Sequence, residues 1–325
     1  MPHRPPIYVL TGPTAVGKTA LALRWAAALD AEIVSCDAFQ LYRGMDIGTA
    51  KPSIVERATL PHHLIDVAEV DEPMDVVRYT ELAHTAVTDI QARGRNVLVT
   101  GGSGFYLKTY FTAVADAVDV TCAARDEAWA LFEQGLEPML TRLRTLNPEG
   151  LGELHTKNPR RVWKALERCL STGLSLADLN ARHAALPGAF DAWEKRTVLL
   201  MRSAETLWPR IQARTRTMLD AGLVAEVQTL RIAGLERNRS AADAIGYRET
   251  RAFLDAYPDP STAPTEAVEA LANDISIHTR QLAAKQKKWF RHQLAPDLVV
   301  NLDTVSEDDA LAIMPNELSG LKSKD

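Results

Sequence analysis

The sequence is poor in the features that would place it in several large classes. It has three cysteines in 325 residues, Cys36, Cys122 and Cys169, widely spaced and odd in number. That usage excludes a disulfide scaffold and suits buried thiols in a reducing cytoplasm. No Cys/His spacing suits zinc, and the adjacent pair His62–His63 is poor geometry for one metal. The pair reads as loop or strand edge. No run of about eighteen apolar residues exists, so neither a transmembrane helix nor a membrane partner is expected. The opening MPHRPPIYVL lacks signal-peptide architecture and runs straight into a strand. There is no internal repeat and no low-complexity tract. Nor is there an excess of positive charge. The net charge of −5 argues weakly against a nucleic-acid partner, but an average conceals local faces, and a basic face matters more than the sum.

What is present starts with size. The chain is 46% hydrophobic, enough for one large or two modest cores. Strands are expected at 7–11, 32–36, 63–67, 96–100, 196–201 and 297–301, with helical stretches such as 74–93 between most of them. Alternating strand and helix predicts an α/β fold with a parallel sheet covered on both faces. From about 115 to 194 the pattern is helical only, with segments at 125–134, 136–146, 159–170 and 175–185, as in an inserted helical domain. A discontinuous core of 1–114 and 195–302 therefore flanks an insertion of 115–194. More helices follow Met201, ending in a long one over 264–293. The stretch 303–325, acidic and polar at both ends, is expected to be partly disordered.

The chain's first distinctive stretch is VLTGPTAVGKTA, residues 9–20. Gly12, four residues, then Gly17, Lys18 and Thr19 form a phosphate-cradling loop between an apolar β-branched strand and a run of helix formers. The four fixed positions match by chance in about one chain of this length in a hundred. The backbone amides of Gly12, Thr14, Ala15, Val16 and Gly17 can turn inward, and the helix N-terminus adds partial positive charge. Lys18 supplies a cation, and the Thr19 hydroxyl can ligate Mg²⁺. The ligand is a diphosphate or a triphosphate; the motif does not say which.

Asp37 follows the second strand and Thr100-Gly101-Gly102-Ser103-Gly104 follows the fourth. Both belong to the carboxyl edge of the sheet, where open α/β folds bind ligands. Asp37 could accept a proton or hold Mg²⁺ through water, a reading its place at that edge favours over a turn cap. Ser103 could donate to a ligand oxygen or cap the next helix. In HTKNPRRVWKALERCL (155–170), Asn158 and Pro159 open a helix on which Arg160, Arg161, Lys164 and Arg168 share about 100° of arc. Glu167 lies outside that arc. A second cationic face, Arg280, Lys287, Lys288 and Arg291, lies on the last helix, where Trp289 reads as core packing. A charged face is usually only solvated, but two single-sign faces beside a phosphate loop point to an enzyme acting on nucleic acid.

With these residues in view, the chain resembles the bacterial tRNA dimethylallyltransferase (tRNA isopentenyltransferase) family from about Tyr8 to Arg291. GPTAVGKTALAL, DAFQLYRGMDIGTAKP (37–52) and GGSGFYLK (101–108) resemble three successive motifs of that family. NPRRVWKALE, RIQARTRTMLDAGLVAEV, AIGYRE and TRQLAAKQKKWFR resemble the rest. The block from Met45 to Pro52 is more discriminating than the phosphate loop.

The resemblance implies a P-loop NTPase-like core with a helical insertion domain gripping tRNA. The loop would hold the diphosphate of dimethylallyl diphosphate, and the five-carbon group would move to N6 of the adenosine 3′-adjacent to the anticodon. It implies Asp37 as general base and Ser103, where Thr is usual, as a hydroxyl beside the reacting centre. Lys18, Arg214 and Arg280 would bind diphosphate, and Thr19 would help hold Mg²⁺. The tRNA anticodon stem-loop would meet Asp37, Ala38, Phe39 and Gln40 at the crevice. Arg125, Arg160, Arg161, Val162, Trp163 and Lys164 would meet it on the insertion. Asp243, Gly246, Tyr247 and Arg248, then Lys285, Lys287, Lys288 and Arg291, would meet it from the later helices. Ala284 stands where a basic residue is common, and Lys164 where Arg is common, which removes bidentate contact there. A cytoplasmic monomer is expected. Three other readings stay open at this point: a small-molecule kinase, a prenyltransferase acting on free adenine nucleotides, and a non-enzymatic RNA-binding protein.

Overall fold

The structure, a computed structural model, describes residues 4–114 and 118–319. The chain forms two units: Met1–Phe111 together with Ala189–Asp325, and Thr112–Gly188. The first part of the larger unit contains β1 (Ile7–Thr11), α1 (Lys18–Ala28), β2 (Ala31–Ser35), α2 (Ile54–Thr59) and β3 (His62–His63), then α3 (Val76–Ala92), β4 (Asn96–Gly101) and α4 (Gly104–Lys108). The smaller unit holds α5 (Cys122–Gln134), α6 (Leu136–Leu146), α7 (Pro159–Thr172) and α8 (Leu176–Ala184). The chain returns to the larger unit with β5 (Lys195–Met201), α9 (Ala204–Asp220), α10 (Leu223–Ile232), α11 (Arg239–Ala242) and α12 (Tyr247–Ala256), then α13 (Thr265–Gln293), β6 (Leu298–Asn301) and α14 (Glu307–Ser319).

The six strands form one parallel sheet in the order β3-β2-β4-β1-β5-β6. Parallel strands covered on both faces need continuous apolar runs, and Ile7, Val9, Leu10, Ile33, Val34, Val97, Leu98 and Val99 are all at most 1% exposed. The central strand β1 aligns Thr11 with Gly101 of β4 and with Leu199 of β5. Its carboxyl end therefore opens between two neighbours, and the phosphate loop leaves from there. Trp25 on α1 is fully buried and packs edge-on to Tyr8 at 5.7 Å, which fixes the helix behind the loop.

One expectation is corrected in this unit. The third strand ends at His63 instead of continuing to Val67. Leu64 and Asp66 take positive φ of 61° and 56°, which breaks the extended path. Asp66 turns away to meet Lys51 at 2.7 Å and Arg57 at 2.6 Å. His62–His63 is a sheet edge, as read from the sequence. Within the acidic stretch 303–325, part of the chain is helical. Glu307–Ser319 is a helix whose Ala310 and Met314, one turn apart, are fully buried in the core around α1. Burying Met314 contributes roughly 2 kcal/mol. Residues 320–325 lie outside the described residues.

The smaller unit has its own core of Leu140, Leu143, Val162, Leu166, Cys169 and Leu179. α7 begins as its sequence dictates: the Asn158 side chain accepts from Arg161 N, and Pro159 occupies the first turn. Gly173, in the left-handed region at φ 68°, ends it. The insertion expected over 115–194 differs at its C-terminal edge, because Phe190 and Trp193 pack against His84 of α3 and lie in the larger unit. Cys36 and Cys169 are buried, but Cys122 is exposed at the start of α5. Among the described residues, no helix is long and apolar enough to cross a membrane.

Candidate active site

The phosphate loop is closed from several directions by residues far apart in sequence. Gly17 takes φ +116° at the start of α1, a conformation that L side chains rarely adopt. The Lys18 ammonium turns back onto the loop, donating to the carbonyls of Gly12 and Pro13, both at 2.9 Å. Its pKa is pushed down to about 8, first by burial, then by the like charge of Arg214, with Asp37 opposing. Burial likewise holds Arg214 below its ordinary value, again opposed by Asp37. The two cations and the carboxylate thus share one electrostatic environment.

Gln286 of α13 spans the two glycine loops. Its side-chain oxygen accepts from Thr14 N at 2.8 Å and its amide nitrogen donates to the Gly102 carbonyl at 2.8 Å. Beneath that clamp, β4 and the end of β2 approach so closely that a Cβ on Gly101 would lie 1.9 Å from the Cys36 carbonyl oxygen. Only glycine fits there, and the approach brings the Asp37 turn beside the Gly102–Ser103 turn.

The result is a cavity of about 540 Å³ at the carboxyl edge of the sheet. Thr14, Lys18, Thr19, Asp37, Gln40, Thr49, Gly102, Arg210, Arg214 and Gln286 are among its walls. A second cavity of about 260 Å³ shares Thr14, Asp37, Thr49, Arg214 and Leu282 with the first. Its own walls include Phe39, Met218, Asp243, Ile245, Gly246, Tyr247 and Ile275. Asp37 stands where the two chambers meet. Its Oδ1 accepts from Phe39 N at 2.9 Å and from Gln40 N at 3.3 Å. The turn-capping and the crevice-facing readings of Asp37 therefore hold together, since one oxygen holds the turn while the other is left for a ligand.

Thr49 comes from the discriminating block after β2, and that block has an unexpected anchor. Glu226 of α10 accepts from the backbone N–H groups of Asp46 (3.1 Å), Ile47 (2.7 Å) and Gly48 (3.2 Å), and from the Tyr247 hydroxyl (2.7 Å). Lys51, its side chain 1% exposed, ties the same loop to Tyr42 O and Asp66. Thr49 O then accepts from Gln40 Nε2 and Arg214. Ala38 is half-buried in the Asp37 turn.

Several expected site residues sit elsewhere. Arg280 lies 4.8 Å over the Trp208 ring and lines neither cavity; Arg210, whose Nε donates to Ala15 O at 2.8 Å, is the cation at the loop instead. Ser103 occupies the position before α4 but makes no cap hydrogen bond. It adjoins Gly102 without lining either cavity. Tyr247 is fully buried, its hydroxyl donating to Glu226, and it lines the second cavity. Val162 is likewise 0% exposed in the core of the smaller unit and cannot meet a ligand.

The cationic faces are narrower than a helical wheel implies. Lys164 pairs with the buried Glu167 at 2.7 Å and lies 4.3 Å over the half-buried Trp163. Lys287 donates to the Arg202 carbonyl. Arg248 pairs with Glu249, and Asp243 with Arg239. Arg160, Arg161 and Arg125 remain exposed on the smaller unit, as do Lys285, Lys288 and Arg291 on α13. None of these six has an ion pair among the described residues. Trp289 is half-buried against Gly104, consistent with packing.

The donor set suits one kind of cation. Among the described residues no group of three His, Cys, Asp or Glu side chains could hold a metal. An all-protein cage is therefore not built here. A Mg²⁺ that takes most of its ligands from phosphate oxygens and water fits the Thr19 hydroxyl and the Asp37 carboxylate, which line the same cavity.

Residues 40–293 match the family model described as IPP transferase. A tRNA dimethylallyltransferase of Opitutus terrae is 52% identical over 294 residues, covering 90% of this chain and 92% of that protein. One from an Exiguobacterium species is 38% identical, covering 89% and 88%. The crystal structure of a full-length tRNA isopentenylpyrophosphate transferase from Bacillus halodurans is similar at a TM-score of 0.67 and 28% identity, covering 97% of both chains. A eukaryotic dimethylallyltransferase acting on tRNA shares the fold at a TM-score of 0.81 and 23% identity, covering 98% of this chain and 81% of that one.

Proposed function

This chain belongs to the IPP transferase family, whose members similar to it are tRNA dimethylallyltransferases, and from that premise we propose how its crevice works. The enzyme is a prenyltransferase. It moves a dimethylallyl group from dimethylallyl diphosphate to N6 of the adenosine 3′-adjacent to the anticodon in tRNA. The observation that carries this reading is the pair of chambers meeting at Asp37. A transfer between two substrates needs one chamber for each, with the proton acceptor between them.

The donor's diphosphate occupies the loop chamber, held by loop amides, Lys18, Arg210 and Arg214. The adenine leaves its stack and enters the adjoining chamber, lined by Phe39 and by Asp243 at the turn before α12; unstacking costs a few kcal/mol, offset by cationic contacts. The adenine amino group is a weak nucleophile because its lone pair is delocalised. As the new N6–C bond forms, the C–O bond to diphosphate breaks and the oxygen keeps the electron pair. The N6 proton passes to the Asp37 carboxylate. Charge developing on the leaving diphosphate is met by the three cations and the α1 N-terminus. Thr19 would hold Mg²⁺, which when bound neutralises part of the diphosphate charge. Ser103, free of a capping bond, positions the reacting centre from the edge of Gly102.

The exposed cations Arg125, Arg160 and Arg161 of the smaller unit, with Lys285, Lys288 and Arg291 of α13, take phosphates of the anticodon stem-loop. A cytoplasmic monomer is part of the same reading. The test is mass spectrometry of an unmodified anticodon stem-loop incubated with enzyme, Mg²⁺ and dimethylallyl diphosphate, with free AMP in parallel. A gain of one five-carbon unit on the RNA alone is expected. Gain on AMP instead, or ATP consumption with no gain on either, overturns the reading.

A further inference from the structure

The acidic C-terminal helix reaches the phosphate loop. α14 packs on α1 through Ala310 and Met314, and Arg24 of α1 pairs with Asp308. That packing brings Glu307, in the first turn of α14, into the wall of the larger cavity. A Cβ built on Gly17 would lie 3.5 Å from Glu307 Oε1 and 3.7 Å from the Arg210 guanidinium. Among the described residues Glu307 has neither an ion pair nor a side-chain hydrogen bond, and Arg210 is not within ion-pair distance of it. A negative charge without a partner therefore stands beside a loop whose purpose is to hold anions. At such a place an unpaired carboxylate repels added negative charge.

We propose that Glu307 is a specificity-determining residue: its carboxylate, delivered by the C-terminal helix to the mouth of the phosphate loop, admits a diphosphate and disfavours a triphosphate. The inference rests on the diphosphate-donor reading given above. Loops of this pattern serve triphosphates in other proteins, so a chain that uses one for a prenyl diphosphate gains by rejecting abundant nucleotides. Three cations face the loop chamber, Lys18, Arg210 and Arg214, against two carboxylates, Asp37 and Glu307. A third phosphate adds negative charge at the open end of the loop. Coulomb repulsion at several ångströms in a half-solvated site is worth roughly a fivefold change in affinity.

The test is calorimetric titration of the full chain with inorganic diphosphate and inorganic triphosphate in Mg²⁺, for wild type, Glu307→Gln and Asp308→Asn. Thermal unfolding verifies that each variant is folded. Glu307→Gln should tighten triphosphate at least threefold more than diphosphate. Asp308→Asn, in the same helical turn but outside the cavity wall, should leave the ratio unchanged. Equal changes for both anions in Glu307→Gln would overturn the proposal, because the charge would then not discriminate. Weakened diphosphate binding with loss of its Mg²⁺ dependence would also overturn it, making Glu307 a metal ligand. If wild type bound triphosphate but no diphosphate at all, the diphosphate-donor reading itself would fail, and this inference with it.

Discussion

Replacing Glu226 with alanine removes one carboxylate and strands four donors: the N–H groups of Asp46, Ile47 and Gly48 and the Tyr247 hydroxyl. Hydrogen bonds to a charged acceptor contribute about 1.5–3 kcal/mol each, and the cost of a lost partner is largest for donors that water cannot reach. Tyr247 is fully buried. The 46–48 backbone lies partly exposed, so water replaces part of its loss. The net destabilisation should be about 3–4 kcal/mol. At roughly 2–4 °C per kcal/mol for domains of 150–250 residues, that lowers Tm by roughly 6–16 °C. Because the loop carries Thr49 into both chambers, prenyl transfer should fall with stability at temperatures where the protein is still folded. A double-mutant cycle separates the anchor from a mere cavity. Tyr247→Phe alone should cost about 1 kcal/mol, and close to nothing in the Glu226→Ala background. Chemical denaturation of the four proteins gives these values. A loss under about 1 kcal/mol for Glu226→Ala, with Tyr247→Phe fully additive, would refute the claim that this carboxylate builds the crevice wall.

Diphosphate affinity should fall as pH rises through about 8, because the Lys18 ammonium, depressed to that value by burial, loses the charge that binds the anion. In the ligand-free protein the sign reverses: between about 8 and the ordinary lysine value the unfolded chain keeps a proton that the folded chain has released, so stability rises with pH in that window. Lys18→Met should abolish both trends, measured by calorimetric titration and by denaturation from pH 7 to 10. Arg160→Glu with Arg161→Glu should weaken stem-loop binding and reduce the salt slope by roughly one per lost phosphate contact, while prenyl-diphosphate binding is spared; equal losses of both would contradict the assignment. Lys164→Glu should instead unfold the smaller unit at lower denaturant, since it places a second carboxylate beside the buried Glu167.

The features that were legible in the sequence are local. The phosphate loop follows from glycine spacing and its strand–helix context, the start of α7 from Asn158 and Pro159, and the parallel sheet from its apolar runs. The rest depends on convergence. Glu226 and Gln286 fall inside matched motifs, but their roles are illegible there, because each acts on backbone groups more than 170 positions away. Arg210 opens the stretch RIQARTRTMLDAGLVAEV, but the stretch assigns it no role; only the fold brings it to Ala15. Arg280, by contrast, carried a motif match but found Trp208. The helical wheel puts Lys164 in a cationic stripe, but its pairing with Glu167 crosses the edge of that arc. The pattern over 63–67 overextends β3, because it holds no trace of the pairing of Asp66 with Lys51 and Arg57. The tail's acidic composition concealed Ala310 and Met314, whose one-turn spacing was the available signal for a packed helix. Strand order was never legible, since pairing across the sheet leaves no local trace.

The central claim is that Asp37 joins the two chambers as the proton acceptor. The direct measurement is single-turnover transfer to the anticodon stem-loop by wild type and Asp37→Asn, with calorimetry of both binding steps. Asparagine keeps the oxygen that accepts from Phe39 and Gln40, so the turn survives, but it cannot take a proton. The account predicts a transfer rate roughly 10²–10⁴-fold lower, with stem-loop and prenyl-diphosphate binding within about threefold of wild type. Unchanged transfer, or a loss fully explained by weaker binding, would contradict it.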